Sequence, residues 1–248
     1  MQLTVLGSNG GCAVPGNPAS GYLVQHGDTA ILSDAGSGTF MELMRHIDPG
    51  EVDGIVISHV HADHCADLVA FYSYMAHGPS GAAPIPVYLP EATVEPIAAF
   101  LRAGPDHAFF QTFDFRIVGG GDTSQIRDVS VQFASTHHSV PTIATRFSSG
   151  GRSLAYSADT GPGGGFPGLA SGADAILCEA TGIGERGPQS YEYHLNAGEA
   201  GALAAAVGGR LFLTHLSSTV DTEEALAEAA ATYGAEPALA VPGSTFEI

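Results

Sequence analysis

The chain has 248 residues, 44% hydrophobic and only 14% charged, the profile of a sequence that buries a core rather than of a disordered one. Acidic residues outnumber basic ones by 26 to 8, no lysine occurs, and a net charge of −18 leaves no basic tract for a polynucleotide backbone. Cys12, Cys65 and Cys178 form no CxxC pair, which excludes both a disulfide framework and a thiolate zinc site.

The 33 glycines and 15 prolines suggest many short elements joined by tight turns. Strands are expected at residues 3–6, 22–25 and 29–33, the last two joined by a Gly27-Asp28 turn. Residues 40–47 read as a helix ended by Pro49-Gly50, and 52–57 as a buried strand. A helix is expected at 66–75, a strand at 87–89, a helix at 91–101 and one alternating strand over 126–134. Strands at 144–148 and 153–156 flank the turn Ser149-Gly150-Gly151. There follow a strand at 175–177, a helix at 197–206, a strand at 211–213, a helix at 223–232 capped by Asp221, and a strand at 239–241. Strands with helices outside them predict a layered α/β sandwich. The glycine-rich stretch 161–165 is too short for a linker and no period repeats, so residues 1–248 are expected to form a single domain. The N-terminal residues lack a basic region before an apolar one, and no run reaches 18 apolar residues. A cytoplasmic chain with no membrane partner is expected.

The densest chemistry is Ser58-His59-Val60-His61-Ala62-Asp63-His64-Cys65, with three histidines and a carboxylate in a few residues. Imidazole with carboxylate suits zinc, iron or manganese. On a strand, alternate residues share a face, so His59 and His61 can reach one ion. A loop entering a helix can turn Asp63 and His64 toward a second. Four donors hold two ions loosely, because a zinc site takes three or four protein ligands. Further donors are therefore expected at strand ends. The segments Thr136-His137-His138-Ser139, Ser157-Ala158-Asp159-Thr160 and Leu213-Thr214-His215-Leu216 offer them, where α/β sites collect. His26, His46, His77 and His107 lie in weakly patterned, surface-like stretches. Cys65 and Cys178 read as small buried residues.

HxHxDH followed by a histidine, an aspartate and a histidine in LTHL, in that order along nearly the whole chain, resembles the metallo-β-lactamase superfamily. The resemblance implies a four-layer αβ/βα sandwich and two divalent metal ions, zinc foremost, with manganese and iron as alternatives. By the same likeness His59, His61 and His138 bind the first ion, Asp63, His64 and His215 bind the second, and Asp159 bridges both. The context HSVP, with a strand ending in Arg146-Phe147, favours His138 over His137. Asp34, in LSDAGSG, resembles a family aspartate that supports the site from behind; otherwise it caps the following helix. Asp159 stands where the true β-lactamases carry a cysteine, and the HxExD motif of flavodiiron proteins is absent.

Two further stretches resemble one branch of the family, the one holding ribonuclease Z and smaller cyclic-nucleotide phosphodiesterases. They are Cys178-Glu179-Ala180-Thr181 and His194-Leu195-Asn196-Ala197. NPASGYL, SHVHADHC, LAYSADTG and the closing TFEI are most similar to actinobacterial phosphodiesterases of this kind. Glycines in Leu6-Gly7-Ser8 and Pro18-Ala19-Ser20-Gly21 are expected to let the backbone pass close to the metal loop. The likeness implies that His194 faces the scissile phosphate and that Glu179 orients it. On chemical grounds Asp63 is expected to accept the proton of the nucleophile, a hydroxide shared by the two metals, and His194 to act as general acid for the leaving alkoxide. The expected substrate is a small phosphodiester, a cyclic nucleotide. Ester, lactone or thioester hydrolysis and tRNA 3′ processing are the alternatives, the latter disfavoured by the acidity. A homodimer is the family's habit. Asn196 replaces the family's threonine, and Ser-Ala-Asp its Ser-Gly-Asp.

Overall fold

The computed structural model describes residues 1–78, 84–185 and 192–248. The first half runs β1 (Gln2–Gly7), β2 (Asn9–Gly10), β3 (Gly21–His26), β4 (Thr29–Ser33), α1 (Thr39–Leu43), β5 (Gly54–Val56), α2 (Ala62–Cys65), α3 (Leu68–His77), β6 (Ile85–Leu89), α4 (Val94–Phe100), α5 (Phe109–Thr112) and β7 (Phe113–Ile117). The second runs β8 (Thr123–Ile126), β9 (Val129–Ser135), β10 (Ile143–Ser149), β11 (Arg152–Tyr156), α6 (Phe166–Ala170), β12 (Ala175–Glu179), α7 (Ala197–Val207), β13 (Arg210–Thr214), β14 (Leu216–Ser217), α8 (Thr222–Tyr233), β15 (Ala238–Leu239) and β16 (Thr245–Glu247).

Two seven-stranded sheets result, in the orders β16-β1-β3-β4-β5-β6-β7 and β15-β13-β12-β11-β10-β9-β8, with β2 and β14 as a small third pair. Between the large sheets, Leu3, Val5, Val24 and Ile31 meet Val131, Phe147, Leu154 and Phe212 in one apolar core. Helices α1, α3, α4 and α5 cover the outer face of the first sheet through Leu43, Phe71, Ile97 and Phe109. Helices α6, α7 and α8 cover the second through Phe166, Ala200, Ala204 and Ala229. The expected four-layer αβ/βα sandwich is thus the fold. Strand β12 is buried along its whole length, which is why it reads as a continuous apolar run rather than an alternating one. No helix among the described residues is long and apolar enough to cross a membrane.

Several boundaries differ from the sequence reading. The single strand over 126–134 is a hairpin of β8 and β9, with Ile126 paired to Val129. Its turn uses Arg127 in the left-handed region (φ 49°) and carries no glycine or asparagine to announce it. The helix expected at 66–75 is α3, shifted by two residues to Leu68–His77, and the short α2 (Ala62–Cys65) before it was not anticipated. The strand over 52–57 shrinks to β5, so the HxH segment lies in the loop beyond it and not on a strand. Strands β2, β7, β14 and β16 were not anticipated.

Candidate metal centre

Six strand ends converge at one edge of the sandwich. Asp34 follows β4, the histidine cluster follows β5, His138 follows β9 and Asp159 follows β11, while Glu179 ends β12 and His215 follows β13. Beyond β5 the backbone is still extended at His61 (φ −62°, ψ 143°), which precedes the first turn of α2. That turn carries Asp63 and His64.

Two sets of donors meet at Asp159, and Glu179, His194 and His215 form a third group beside them. His59, His61, His138 and Asp159 each place one donor atom within 4.8 Å of the others, and so do Asp63, His64, His215 and Asp159. His61 Nδ1 lies 3.0 Å from His59 Nε2 and 3.1 Å from His138 Nε2. His64 Nε2 and His215 Nε2 are 3.3 Å apart, with Asp63 Oδ2 3.5 and 3.3 Å from them. Asp159 divides its carboxylate between the sets. Its Oδ1 lies 3.2 Å from His64 and 3.4 Å from His215, and its Oδ2 lies 3.7 Å from His59 and 3.9 Å from His138. All seven residues expected from the sequence meet here. His137 turns away, its Nδ1 donating to the Pro162 carbonyl at 3.0 Å. His26, His46, His77 and His107 belong to neither set.

A family model of the beta-lactamase superfamily domain matches residues 29–216, a span that holds every one of these donors. The chain belongs to the metallo-β-lactamase superfamily. Among its relatives, the Mycobacterium tuberculosis (strain H37Rv) protein Rv1339 is 33% identical over 256 residues, which cover 100% of this chain and 92% of that protein. The Bacillus subtilis protein named "Probable metallo-hydrolase YhfI" is 28% identical over 100% of both chains. Its crystal structure, described as a metallo-beta-lactamase fold protein, matches with a TM-score of 0.87 at 26% identity and covers 99% of each chain. Ribonuclease Z of Mycobacterium bovis (strain BCG / Pasteur 1173P2) is 29% identical, over 87% of this chain and 85% of its own. As a superfamily member of this kind, the protein is a metal-dependent hydrolase.

The donor chemistry of this metallo-β-lactamase superfamily chain fits divalent cations. Outer partners fix the imidazole tautomers. His64 Nδ1 donates to Asp34 Oδ2 (2.8 Å), His138 Nδ1 to the Tyr193 carbonyl (3.2 Å) and His215 Nδ1 to Thr181 Oγ1 (2.9 Å). Thr181 can accept because its own proton goes to Glu179 Oε2 at 2.8 Å. Each of these bonds commits Nδ1 and turns Nε2 inward. Ring nitrogens and carboxylate oxygens then crowd together, and Asp159 Oδ1 is buried without a hydrogen-bond partner. Cations satisfy such an arrangement at once. Burial pushes His59 well below the ordinary histidine range and His138 down to about 4, so both are neutral, the form that ligates a metal. Burial acts the same way on His64, but the Asp159 and Asp34 charges outweigh it and hold His64 well above the ordinary range. Burial alone would raise the Asp63 and Asp159 carboxyls. The neighbouring His215 and His64 reverse this and hold both well below the usual carboxylate range.

Asp34 supports the site rather than capping α1, whose N-cap is Gly38. Its Oδ2 accepts from His64 Nδ1, from Ser58 Oγ at 2.9 Å and from the Tyr156 hydroxyl at 2.8 Å, and its Oδ1 accepts from Ser58 N at 2.7 Å. Among the described residues, three of the six non-glycine residues in the left-handed region lie at or beside the donors: Asp34 (φ 58°), Ala158 (φ 50°) and His215 (φ 56°). Strain gathers where a site is over-determined by its surroundings. The Ala158 conformation also explains the family's glycine at that position; here the alanine methyl is buried in the core between the sheets. Asp34→Asn would set an NH₂ group against several donors. It is expected to destabilise the metal-free chain by about 2–4 kcal/mol and to weaken divalent-cation binding by about 10–100-fold. Thermal unfolding and metal titration read the two effects, and a variant equal to wild type in both refutes the supporting role.

His194 stands beside the second set. Its Nδ1 lies 3.1 and 3.3 Å from the two Glu179 oxygens and 3.1 Å from Thr181 Oγ1, and its ring stacks on His215 at 5.5 Å. Burial lowers the proton affinity of His194, but the bond to Glu179 and its charge more than reverse this. Glu179 Oε1 also accepts from Thr160 N at 2.6 Å, so one buried carboxylate anchors both His194 and the turn after Asp159. Asn196 caps α7 in a capping box with Glu199. Threonine or asparagine fills that position, so the departure leaves the start of the helix intact. Residues 186–191, within the stretch between Glu179 and His194, lie outside the described residues. Cys65 and Cys178 are buried thiols, with burial pushing Cys65 up to about 12 and Cys178 higher still, unlike nucleophiles. Sequence reasoning gave no role to Ser58, Tyr156 or Thr181, although each lies inside a motif it quoted.

Proposed function

We propose that the protein is a phosphodiesterase that hydrolyses a small phosphodiester, a cyclic nucleotide, using two divalent cations, zinc foremost. The first cation would be held by His59, His61 and His138, the second by Asp63, His64 and His215, with Asp159 shared. The observation that carries the reading is His194, held by Glu179 against the second donor set. Bound cations supply Lewis acidity and make water a nucleophile at neutral pH. The chain's own groups do the rest. Asp63, kept as a carboxylate, accepts a hydrogen bond and then the proton from the attacking water. With Nδ1 committed to Glu179, His194 delivers a proton from Nε2 to the leaving oxygen, and the carboxylate beside it favours the charged, donating form.

The relatives named ribonuclease Z support phosphodiester chemistry. Size and charge support a small substrate over a long one. A cleft of about 580 Å³ beside His138, lined also by Glu91, Ile117, Ser139 and Val140, has the volume for a nucleotide. Among the described residues no arginine lines it, and the net charge of −18 opposes a polyanion. The deciding assay offers the metal-loaded protein bis-p-nitrophenyl phosphate, 3′,5′- and 2′,3′-cyclic nucleotides, a lactone, a thioester and a tRNA precursor. A cyclic nucleotide is expected to give the highest kcat/KM. Preference for a carbonyl substrate, or tRNA binding that falls steeply with salt, sinks the reading.

Metal uptake should also be linked to protons. A cation entering the second set displaces the proton that Asp159 and Asp34 hold on His64, whereas His59 and His138 carry none to lose at neutral pH. Second-site affinity is therefore expected to fall as pH drops from about 8 to about 6, with roughly one proton released per ion bound there. Calorimetric titration in buffers of different ionisation enthalpy measures this. Uptake at the second site without proton release would show the linkage to be absent.

A further inference from the structure

Two glycines near the N-terminus meet the second donor set. Strand β2 ends at Gly10 and runs parallel to β14, with Asn9 paired to Leu216 and Gly10 to Ser217. It is therefore laced to the two residues that follow His215. The Gly11 N–H donates to Asp63 Oδ2 at 2.8 Å. That oxygen is the one 3.3 Å from His215 Nε2 and 3.5 Å from His64 Nε2. One short loop thus reaches Asp63 through a hydrogen bond and His215 through a strand ladder.

Each position rejects a side chain for its own reason. A Cβ on Gly10 would stand 2.6 Å from the His215 carbonyl oxygen and 3.0 Å from its Nδ1. Gly11 has φ +76°, where L side chains are strained, although nothing crowds the space its Cβ would take. The loop is itself anchored. Ser8 N and Asn9 N both donate to the Pro18 carbonyl at 3.1 Å, and Asn9 Nδ2 donates to the Cys12 carbonyl at 2.7 Å. Asp63 is the donor that most needs such a partner. His64, His215 and Asp159 are buried, whereas Asp63 is only partly so and can otherwise turn to water.

We propose that Gly10-Gly11 is a positioning element for the second metal set alone. The Gly11 N–H fixes the direction in which Asp63 presents Oδ2, and the bare Gly10 lets the β2–β14 ladder hold His215 in its left-handed backbone. Among the described residues, no hydrogen bond joins residues 8–12 to His59, His61 or His138. The inference rests on the two-cation reading given above. Its test is metal content after dialysis, with calorimetric zinc titration, for wild type and three variants. Gly11→Pro removes the N–H and, with φ locked at about −65°, also drives the loop out of its positive φ. Gly10→Ala adds the clashing Cβ, and Gly11→Asn keeps the N–H in a residue that tolerates the left-handed region.

Gly11→Pro and Gly10→Ala are expected to keep one tight ion and to bind the second about 10–100-fold more weakly, the usual cost of losing an outer partner of a ligand. Gly11→Asn should hold both ions as wild type does. Circular dichroism of the metal-free forms reports folding, and Gly11→Pro decides the matter if Gly10→Ala does not fold. A Gly11→Pro protein with two ions at wild-type affinity, or with both sites weakened in parallel, overturns the proposal. A wild-type chain that saturates at one ion overturns the two-cation reading itself and this inference with it.

Discussion

Asp159→Ala is expected to reduce hydrolysis of bis-p-nitrophenyl phosphate by at least ~10³-fold while the sandwich stays folded. Asp159 is the residue common to both donor sets, with one oxygen toward His64 and His215 and the other toward His59 and His138. Its removal takes a charged donor from each set at once. The loss of several kcal/mol of cation-dependent stabilisation corresponds to three or more decades in rate, at about 1.36 kcal/mol per decade. Folding should survive because the core between the sheets is built from Leu3, Val131, Phe147, Phe212 and their neighbours, not from the site. His64→Ala should be as inactive but less stable, because it strips Asp34 of a buried partner at 2.8 Å. Breaking such a pair from one side costs about 3–5 kcal/mol. The two variants therefore separate the metal role from the structural one, through metal content, circular dichroism and kcat on the same preparations. Normal turnover in a purified, folded Asp159→Ala protein ends the shared-ligand assignment.

The donors were legible in the sequence because His59, His61, Asp63 and His64 are packed into one short stretch and the other three are histidines or aspartates just past strands, whose ends can be read from apolar runs. The choice between His137 and His138 needed a resemblance, since adjacent residues in a loop have no periodicity to separate them. In the structure the backbone turns His138 inward and gives His137 to the Pro162 carbonyl. What stayed hidden was the layer behind the donors. Tyr156 reaches Asp34 across 122 positions and Tyr22 reaches Thr214 across 192, and hydrogen bonds between distant residues leave no spacing signal. The N-terminal glycines show the same limit. Gly7 makes room for the Ala19 carbonyl, not for the metal loop, while Ser20 N donates to the Asp63 carbonyl at 3.0 Å. Gly10 and Gly11, which approach His215 and Asp63, fell outside the segments the sequence singled out, whereas Gly36, inside LSDAGSG, stands against the Asp63 carbonyl. Fold boundaries failed for a related reason. Arg127 makes a hairpin turn in a conformation its residue type rarely adopts, so alternation ran straight through it.

His194→Ala is expected to lower cyclic-nucleotide turnover by about 10²–10⁴-fold, the usual worth of a general acid. The loss should depend on the leaving group. A ribose alkoxide needs a proton to depart, whereas p-nitrophenolate leaves without one. Bis-p-nitrophenyl phosphate and p-nitrophenyl ester hydrolysis should therefore fall far less than cyclic-nucleotide hydrolysis in the same protein. Glu179→Gln tests the other half of the pair. The Glu179 hydrogen bond and charge raise the proton affinity of His194 against the opposing effect of burial. A general acid acts in its protonated form, so activity is lost as pH rises through its pKa. Removing the charge lowers that pKa, and the alkaline limb of kcat/KM should move to lower pH in Glu179→Gln. A merely structural role for Glu179, through its bonds to Thr160 N and Thr181 Oγ1, would depress activity at every pH without moving the limb. Equal losses on all leaving groups in His194→Ala, together with an unmoved limb in Glu179→Gln, would remove the feature that separates phosphodiester from carbonyl chemistry at this site. A leaving-group-dependent loss with a shifted limb ties proton delivery to His194 and its direction to Glu179.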